Sequence, residues 1–419
     1  MESTLKYARQ QDAKDSLSSY RDKFHIPKQR NGEPHTYLCG NSLGLQPKTT
    51  RSYIQQELDD WATYGVEGHF HAKNPWLPYH EFLTDKMAKI VGAKPIEVVI
   101  MNTLSVNLHL LMATFYRPTK QRYKILIESD AFPSDRYAVE SQLKFHGFEN
   151  GLVELKPRDG EVLLRYEDIE SAIEDLGNEI ALILIGCPNY YTGQVFDIGR
   201  IAELGHSKGC KVGIDLAHGV GNLKLELHKS NIDFAAWCTY KYLNSGPGSV
   251  GGCFIHERHA HNFDLPRFAG WWGHDKETRF GMRDDFNPIP GAEGWQLSNP
   301  PILSLAAIRA SLDLFDEVGM DKLVLKSRQL TGYLEFLLKE LLEGQVDVIT
   351  PKEQNERGCQ LSLQLTNGNG KSIFNAITKR GVIADWREPD VIRIAPAPFY
   401  NSFEDVYNFV LILKEEVGK

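Results

Sequence analysis

The fold of this chain is decided by the stretch Lys211-Val-Gly-Ile-Asp-Leu-Ala-His218. Its apolar half has the length and the β-branched content of a buried strand, so Asp215 should lie at the carboxyl end of that strand. Ligands in open α/β sheets bind outside the carboxyl ends of the strands. Asp215 is therefore a candidate site residue, and His218 follows it three residues later.

A second stretch supplies the partner for this carboxylate. The run Phe234–Thr239 predicts another strand, and Lys241 follows it beside the glycine-rich turn 246–252. We expect Lys241 at a strand end next to that of Asp215. A carboxylate and a lysine so placed suit a pyridoxal phosphate enzyme, because the carboxylate keeps the pyridine nitrogen protonated and the lysine forms a Schiff base.

Each of these features also has a plainer interpretation. A lone aspartate at a strand end is often a cap or a turn former, and a lone lysine is usually solvated. The glycine-rich turn lacks the Gly-Lys-Ser/Thr ending of a phosphate loop and could be a simple hairpin.

Short apolar runs alternate with amphipathic helical stretches on both sides of this centre. This order predicts an α/β fold with a mostly parallel sheet between helices. The predicted strands are Lys124–Ile127, Ile180–Ile185, Lys211–Ile214, Phe234–Thr239 and Gly252–Ile255, and the predicted helices are Ser134–Phe145 and Ile198–Lys208.

The pattern changes after about Pro300 and predicts a second, smaller α/β domain. Two consecutive helices are expected first, followed by short strands and two further helices. The expected elements are helices Ile302–Phe315 and Met320–Leu342, strands Val346–Ile349, Gln360–Leu365 and Val391–Ala395, a helix Ile373–Arg380 and a helix from Ser402. We expect a large domain over residues 46–305 and a small domain over 306–419. Residues 1–45, for which no sheet is predicted, should pack on the small domain.

Composition narrows the class of protein. The 419 residues carry 47 basic and 55 acidic side chains, a net charge of −8, which gives no electrostatic case for nucleic acid or an anionic membrane as partner. The six cysteines lie far apart without a CxxC pair, so neither a disulfide framework nor a zinc module is indicated. The first 16 residues lack the apolar segment of a secretory signal. We expect a cytoplasmic protein with reduced thiols.

Several segments together resemble the kynureninase family, which has fold type I of the pyridoxal phosphate enzymes and is related to class-V aminotransferases and cysteine desulfurases. This fold type implies that the mostly parallel sheet of the large domain has about seven strands. The resemblance extends from about Tyr37 to Phe403. Its most specific parts are the Trp-Trp-Gly-His segment that ends at His274 and the Ser-Asn-Pro-Pro segment that ends at Pro301. The segments that resemble the family are Tyr37-Leu-Cys-Gly-Asn-Ser-Leu-Gly44, Asp215-Leu-Ala-His218, Tyr240-Lys-Tyr-Leu-Asn244, Gly270-Trp-Trp-Gly-His274 and Ser298-Asn-Pro-Pro301.

The resemblance implies roles for individual residues around pyridoxal phosphate. Lys241 would be the Schiff-base lysine, Asp215 the partner of the pyridine nitrogen, and His218 a neighbour of the phenolic oxygen or the phosphate. Tyr240 would contact the phosphate and assist proton transfer. The other expected cofactor contacts are Leu104, Ser105, Phe132, Pro133, Ser134, Asp135, Gly186, Trp271 and Asn299.

Some of these contacts have a physical basis of their own. Leu104 and Ser105 should open a helix over Val106–Phe115, whose N-terminal N–H groups would favour a phosphate, although Ser105 could also be a plain N-cap. Phe132 would stack on the pyridine ring or else be an ordinary core side chain. Gly186 stands where some family members have a serine, so a side-chain contact would be lost there.

The resemblance also implies a substrate pocket. Arg393 would bind the substrate α-carboxylate through its forked guanidinium, the alternative being an edge-strand arginine that faces water. His69 would lie near the aromatic ring of the substrate, although His71, two residues later, could take that place. Asn299 and Trp271 would complete a pocket that is partly built by a second subunit, which implies a homodimer with shared active sites.

The implied reaction is the hydrolysis of L-kynurenine or 3-hydroxy-L-kynurenine to anthranilate or 3-hydroxyanthranilate plus L-alanine, as in tryptophan catabolism and the biosynthesis of NAD. The catalytic residues would be Lys241 and Tyr240. Another enzyme of this fold, a cysteine desulfurase or an aminotransferase, remains open, with Cys359 as the candidate nucleophile of a desulfurase. A cofactor-fold protein kept as a scaffold is disfavoured because Lys241 and Asp215 are both intact.

The histidine-rich run 256–261 and His228 do not predict a metal site. The histidines of the run stand at positions i, i+3 and i+5 and do not share one helix face. We expect no metal ion.

Overall fold

A computed structural model of the chain describes residues 1–366 and 368–418. The helices are α1 Leu5–Lys14, α2 Thr50–Tyr64, α3 Gly68–His71, α4 Glu81–Val91, α5 Leu104–Phe115, α6 Pro133–Phe145, α7 Tyr166–Leu176, α8 Ile198–Ser207, α9 Leu227–Ser230, α10 Ile302–Val318, α11 Met320–Leu342, α12 Gly370–Lys379 and α13 Phe403–Val417. The strands are β1 Thr36–Tyr37, β2 Val98–Ile100, β3 Lys124–Glu128, β4 Leu152–Leu155, β5 Ile180–Gly186, β6 Lys211–Asp215, β7 Phe234–Trp237, β8 Gly252–Ile255, β9 Val346–Val348, β10 Leu361–Leu365, β11 Val382–Ile383, β12 Asp385–Arg387 and β13 Val391–Ile394.

A seven-stranded sheet forms the centre of the molecule, in the order β2-β8-β7-β6-β5-β3-β4. All neighbouring pairs from β7 to β4 are parallel, whereas β8 runs antiparallel to both β7 and β2. The carboxyl ends of β3, β5 and β6 therefore meet at one edge. The predicted α/β class with a mostly parallel sheet is confirmed.

The sheet is buried on both faces, as expected of parallel strands between helices. Six of the seven residues of β5, from Ile180 to Ile185, are divided between two apolar layers. Ile180, Ile183 and Ile185 pack into one layer, and Ala181, Leu182 and Leu184 pack into the other. Such a strand reads as a continuous apolar run because neither face meets water.

The C-terminal part contains a separate antiparallel sheet in the order β12-β13-β10-β9, packed against α11 and α13. The N-terminal residues contact this part and the central core. Ala8 and Leu38 pack with the C-terminal apolar cluster, while Leu17 and Phe24 pack with the central one. Contrary to expectation, the first 45 residues do contribute a strand, because β1 pairs in parallel with β11.

The structure differs from the sequence prediction most at the strand that precedes Lys241. That strand was expected to reach Thr239, but β7 ends at Trp237. Beyond it the chain leaves the sheet, because the Thr239 hydroxyl donates to Val250 O and Tyr240 O accepts from Gly44 N. Residues 238–251, the glycine-rich turn included, form the long connection of an antiparallel pair.

Within the residues that the structure describes, none of the helices combines the length and the hydropathy needed to cross a bilayer.

Candidate active site

A cavity of about 190 Å³ lies at the edge where β3, β5 and β6 end. Most of the residues that the sequence singles out for a cofactor line its wall. These are Leu104, Ser105, Phe132, Ser134, Asp135, Gly186, Asp215, His218, Tyr240 and Lys241. Thr103, Glu128, Pro188, Tyr190 and Ala217 line it as well.

Lys241 is buried at the floor of this cavity and contacts His218, with 3.0 Å between Nζ and Nε2. Burial lowers the pKa of His218 well below its usual value, and the charge of Lys241 lowers it further. His218 is therefore a neutral imidazole at neutral pH, and its Nε2 can accept a hydrogen bond from the lysine amine.

Three carboxyl groups meet beside Lys241: Glu128 at the end of β3, Asp215 at the end of β6, and Asp135 in the first turn of α6. Burial raises the pKa of Asp135 well above its usual value, and the charge of Asp215, to which it hydrogen-bonds, raises it further. Asp215 Oδ1 accepts from Ala217 N at 2.6 Å. This environment favours the protonated form of Asp135.

Glu128 was not identified from the sequence as a site residue. Its carboxyl group accepts from Gly186 N, at 3.0 and 3.2 Å to the two oxygens, and is 2% exposed. Burial raises its pKa to about 8, with a further contribution from Asp215. A lone glutamate at a strand end resembles a solvated residue in the sequence, and only the pairing of β3 with β5 shows that it is enclosed.

The sequence predicts that glycine at position 186 removes a side-chain contact, and the structure explains why no side chain is present there. A Cβ atom at position 186 would lie 2.8 Å from Oε1 of Glu128. The glutamate therefore occupies the space into which a side chain at this position would point.

At the other end of the cavity two helices begin side by side. Ser105 lies in the first turn of α5 and Ser134 in the first turn of α6, and their hydroxyl oxygens are 2.7 Å apart. Neither Thr103 nor Phe132 caps its helix with a side-chain hydrogen bond. Two uncapped helix N-termini with adjacent hydroxyl groups form a strong site for a phosphate.

Tyr240 and Phe132 flank the lysine. The amine of Lys241 lies 5.8 Å from the centroid of the Phe132 ring and 6.0 Å from that of Tyr240. Burial raises the pKa of Tyr240, so the phenol keeps its proton at neutral pH and can donate it. Phe132 is 38% exposed, which makes it a wall of the cavity and excludes the plain core interpretation.

These residues fit pyridoxal phosphate. The carboxyl group of Asp215 suits a pyridine nitrogen, the paired helix N-termini suit the phosphate, and Lys241 suits the aldehyde. Buried Oδ1 of Asp135 also has no hydrogen-bond partner among the described residues, as expected where a ligand completes the polar contacts.

Arg393 lies one layer outside the cavity and does not line it. It is 1% exposed, forms an ion pair with Asp385, and donates from Nη1 to Tyr190 O at 2.6 Å. The interpretation of Arg393 as a water-facing edge residue is therefore wrong. Tyr190 does line the cavity, so the guanidinium is separated from it by one residue.

The remaining predicted contacts lie outside the cavity of the single chain. Trp271 is 41% exposed and donates from Nε1 to Arg279 O, and Asn299 is exposed. His69 is half-buried against Trp76, while His71 is exposed and 3.7 Å from Glu67. Pro133 begins α6 without lining the cavity. The roles of these residues stay predictions.

Cys359, the candidate nucleophile of a desulfurase, is fully buried. Burial raises the pKa of its thiol to about 12. A nucleophilic cysteine needs an accessible thiolate, so this environment opposes desulfurase chemistry.

Two groups of histidine and glutamate side chains come close together outside the cavity, Glu97-His228-His256 and His80-Glu81-Glu293. Protein contacts already engage several of their ligand atoms. Glu97 Oε1 accepts from His228 Nδ1 at 2.9 Å and from Glu257 N, while Lys276 pairs with both Glu81 and Glu293. The side chains of both groups therefore take part in polar networks within the protein.

The sequence of the chain is similar to that of known kynureninases. Residues 323–413 match the family model of the kynureninase C-terminal domain. The chain is 59% identical to a kynureninase of Myxococcus xanthus over 99% of this chain and 97% of the relative, and 56% identical to a kynureninase of Koribacter versatilis over 98% and 97%.

Solved structures share the fold at low identity. One is a mutant of C-DES with glycine covalently linked to its PLP cofactor, with a TM-score of 0.78 and 16% identity over 91% of this chain and 96% of that one. Another is the cysteine desulfurase CsdA of Escherichia coli, with a TM-score of 0.77 and 16% identity over 96% and 98%. These likenesses show fold type I and no more.

Proposed function

The chain belongs to the kynureninase family, and we propose that it hydrolyses L-kynurenine and 3-hydroxy-L-kynurenine to anthranilate or 3-hydroxyanthranilate plus L-alanine. The full-length identity to curated kynureninases carries this proposal. Pyridoxal phosphate is the cofactor, and once bound it supplies an electron sink for negative charge that develops on the substrate carbons.

The chain's own residues hold this cofactor in the proposal. Asp215, which lines the cavity, would pair with the pyridine nitrogen and favour its protonated form. The first turns of α5 and α6, with Ser105 and Ser134, bind the phosphate. Phe132, in the cavity wall, would pack on the ring and exclude water from it.

Proton transfer is divided between two residues. The amine of Lys241 removes the substrate Cα proton, and neutral His218, 3.0 Å away, supports the amine by hydrogen bonding. Tyr240, whose buried phenol keeps its proton, donates to the substrate carbon released when the Cβ–Cγ bond breaks. Arg393 takes the substrate α-carboxylate and so orients the Cα–H bond.

We propose that the chain acts as a homodimer. Trp271, Asn299 and His69 lie outside the cavity of one chain, which supports completion of the pocket by a second copy. Exposed aromatic side chains lie near His69, among them Trp61 and Phe70, at 61% and 57% exposure. Apolar surface of this kind favours burial in an interface.

We also propose the division into a large domain over residues 46–305 and a small domain over 306–419, with 1–45 packed on the latter. The separate apolar cluster of α11, α13 and the antiparallel sheet supports this division. A cytoplasmic location is proposed because the described cysteines are all free thiols.

The function is tested by incubating the purified protein and pyridoxal phosphate with each kynurenine and with cysteine. Fluorescence of the aromatic amine product together with equimolar alanine is expected from the kynurenines. Sulfide from cysteine, without product from either kynurenine, would identify a desulfurase instead.

A further inference from the structure

One face of the antiparallel sheet packs against the cavity wall. From this face Gln360 Nε2 donates to Tyr190 O at 3.1 Å and Ser362 Oγ to Tyr191 O at 2.5 Å, alongside the Arg393 bond to Tyr190 O. Because Tyr190 lines the cavity, the wall and the sheet face form one polar layer.

Asp385 lies in this layer between two arginines. It stands directly across from Arg393 in the β12–β13 pair, and Arg387 follows it by two residues, so all three side chains lie on the same face. Oδ2 of Asp385 accepts from Nη2 of Arg387 at 3.0 Å and also from Nη2 of Arg393. The carboxylate therefore fixes the positions of both guanidinium groups relative to each other.

The trio carries one unbalanced positive charge, from two guanidinium groups and one carboxylate. A further carboxyl group, that of Asp390, accepts at Oδ2 from Gln364 Nε2 at 2.6 Å. The positive charge reaches the cavity, because Arg393 and Arg387 both lower the pKa of His218 after burial and Lys241. One additional carboxylate at the trio would neutralise it.

Each arginine also has one N–H donor that no described residue accepts. The Nε atoms of Arg387 and Arg393 are buried without a hydrogen-bond partner among the described residues. Buried donors of charged groups are costly to leave unpaired, so a ligand that supplies acceptors is favoured here.

We propose that Asp385 is a positioning residue that holds Arg393 and Arg387 together as a two-arginine site for the α-carboxylate of the substrate. The proposal rests on the proposed function, and it adds Asp385 and Arg387 to the single arginine that the sequence indicates. Asp385 acts only through the arginines and does not touch the substrate.

The test compares Asp385→Asn with the matched control Glu335→Gln in the enzyme saturated with pyridoxal phosphate. Glu335 pairs with Arg357, which like Arg393 is buried, and neither Glu335 nor Arg357 lines the cavity. The KM and kcat for L-kynurenine are measured, with the inhibition constant of its decarboxylated analogue. The analogue has the same aromatic ketone and amine but no α-carboxylate.

We expect Asp385→Asn to raise KM about tenfold or more, with a smaller fall in kcat. The inhibition constant of the decarboxylated analogue should not change, and Glu335→Gln should leave KM as in the wild type. Arg387→Lys, at a partly exposed side chain, should raise KM about threefold or more without loss of folding.

An unchanged or lower KM in both Asp385→Asn and Arg387→Lys would overturn the proposal. Equal weakening of kynurenine and of the analogue would also overturn it, since that outcome is general damage to the site. A wild-type enzyme that does not cleave kynurenine would instead refute the proposed function, so the two failures are distinguishable.

Discussion

The buried carboxyl group of Glu128 makes the stability of the protein depend on pH in a way that one substitution removes. Its pKa is raised from 4.5 to about 8 by burial and by Asp215. Because the folded state holds the proton more tightly than the unfolded state, folding is favoured below pH 4.5 and weakened as the pH rises towards 8. Glu128→Gln keeps an acceptor for Gly186 N and cannot ionise.

The magnitude follows from the shift. The pKa values of Glu128 in the unfolded and folded states differ by about 3.5, and each pKa unit corresponds to 1.36 kcal/mol. Full ionisation of Glu128 therefore lowers the free energy of unfolding by roughly 5 kcal/mol. Between pH 5.5 and 7.5 the wild type should lose roughly 2 to 3 kcal/mol relative to Glu128→Gln. For a chain of this length that difference corresponds to about 3 °C in melting temperature.

The assay is thermal unfolding of wild type and variant between pH 5 and 9, in protein freed of cofactor so that the cofactor's own titration does not contribute. Glu149→Gln, at an exposed turn position, is the control and should follow the wild-type pH dependence. A stability difference between Glu128→Gln and wild type that stays constant from pH 5.5 to 7.5 would refute the assignment of a buried, protonated Glu128.

Other substitutions test the remaining parts of the site. Lys241→Ala should abolish turnover while circular dichroism shows an intact fold, and normal activity would end its assignment. Tyr240→Phe should lower kcat by about 10²-fold or more with little change in KM if the phenol is the proton donor; an unchanged kcat excludes it. Arg393→Ala should raise KM strongly and lower kcat, because the carboxylate contact also orients the substrate, whereas an unchanged KM would assign this contact elsewhere. Ser105→Ala should weaken cofactor binding about fivefold or more in a fluorescence titration, and equal affinity would leave the helix N-termini alone to hold the phosphate.

The sequence predicted the centre of the fold because its signals are local. The run that ends at Asp215 is apolar on both faces, which only a central strand of a covered sheet requires. The helix from Ser402 was predicted for the same reason, and the structure shows Ser402 as the N-cap of α13, with its hydroxyl accepting from Asp405 N.

Other features depend on contacts between distant segments. The burial of Glu128 arises because β3 lies beside β5. The contact of Asp385 with Arg393 arises from the register of β12 against β13. Neither strand pairing can be predicted from the spacing of residues along the sequence. Strand β7 was predicted too long because the apolar residues after Trp237 pack in a loop, where β-branched and aromatic side chains resemble a strand.

The central claim is that Lys241 carries the cofactor among buried acids, and borohydride reduction tests it most directly. Protein saturated with pyridoxal phosphate is reduced, digested and mapped by mass spectrometry. The reduced cofactor should be found on the peptide that contains Lys241, in stoichiometric amount and with loss of kynurenine cleavage. Label on another lysine, or full activity after complete reduction, would contradict the account.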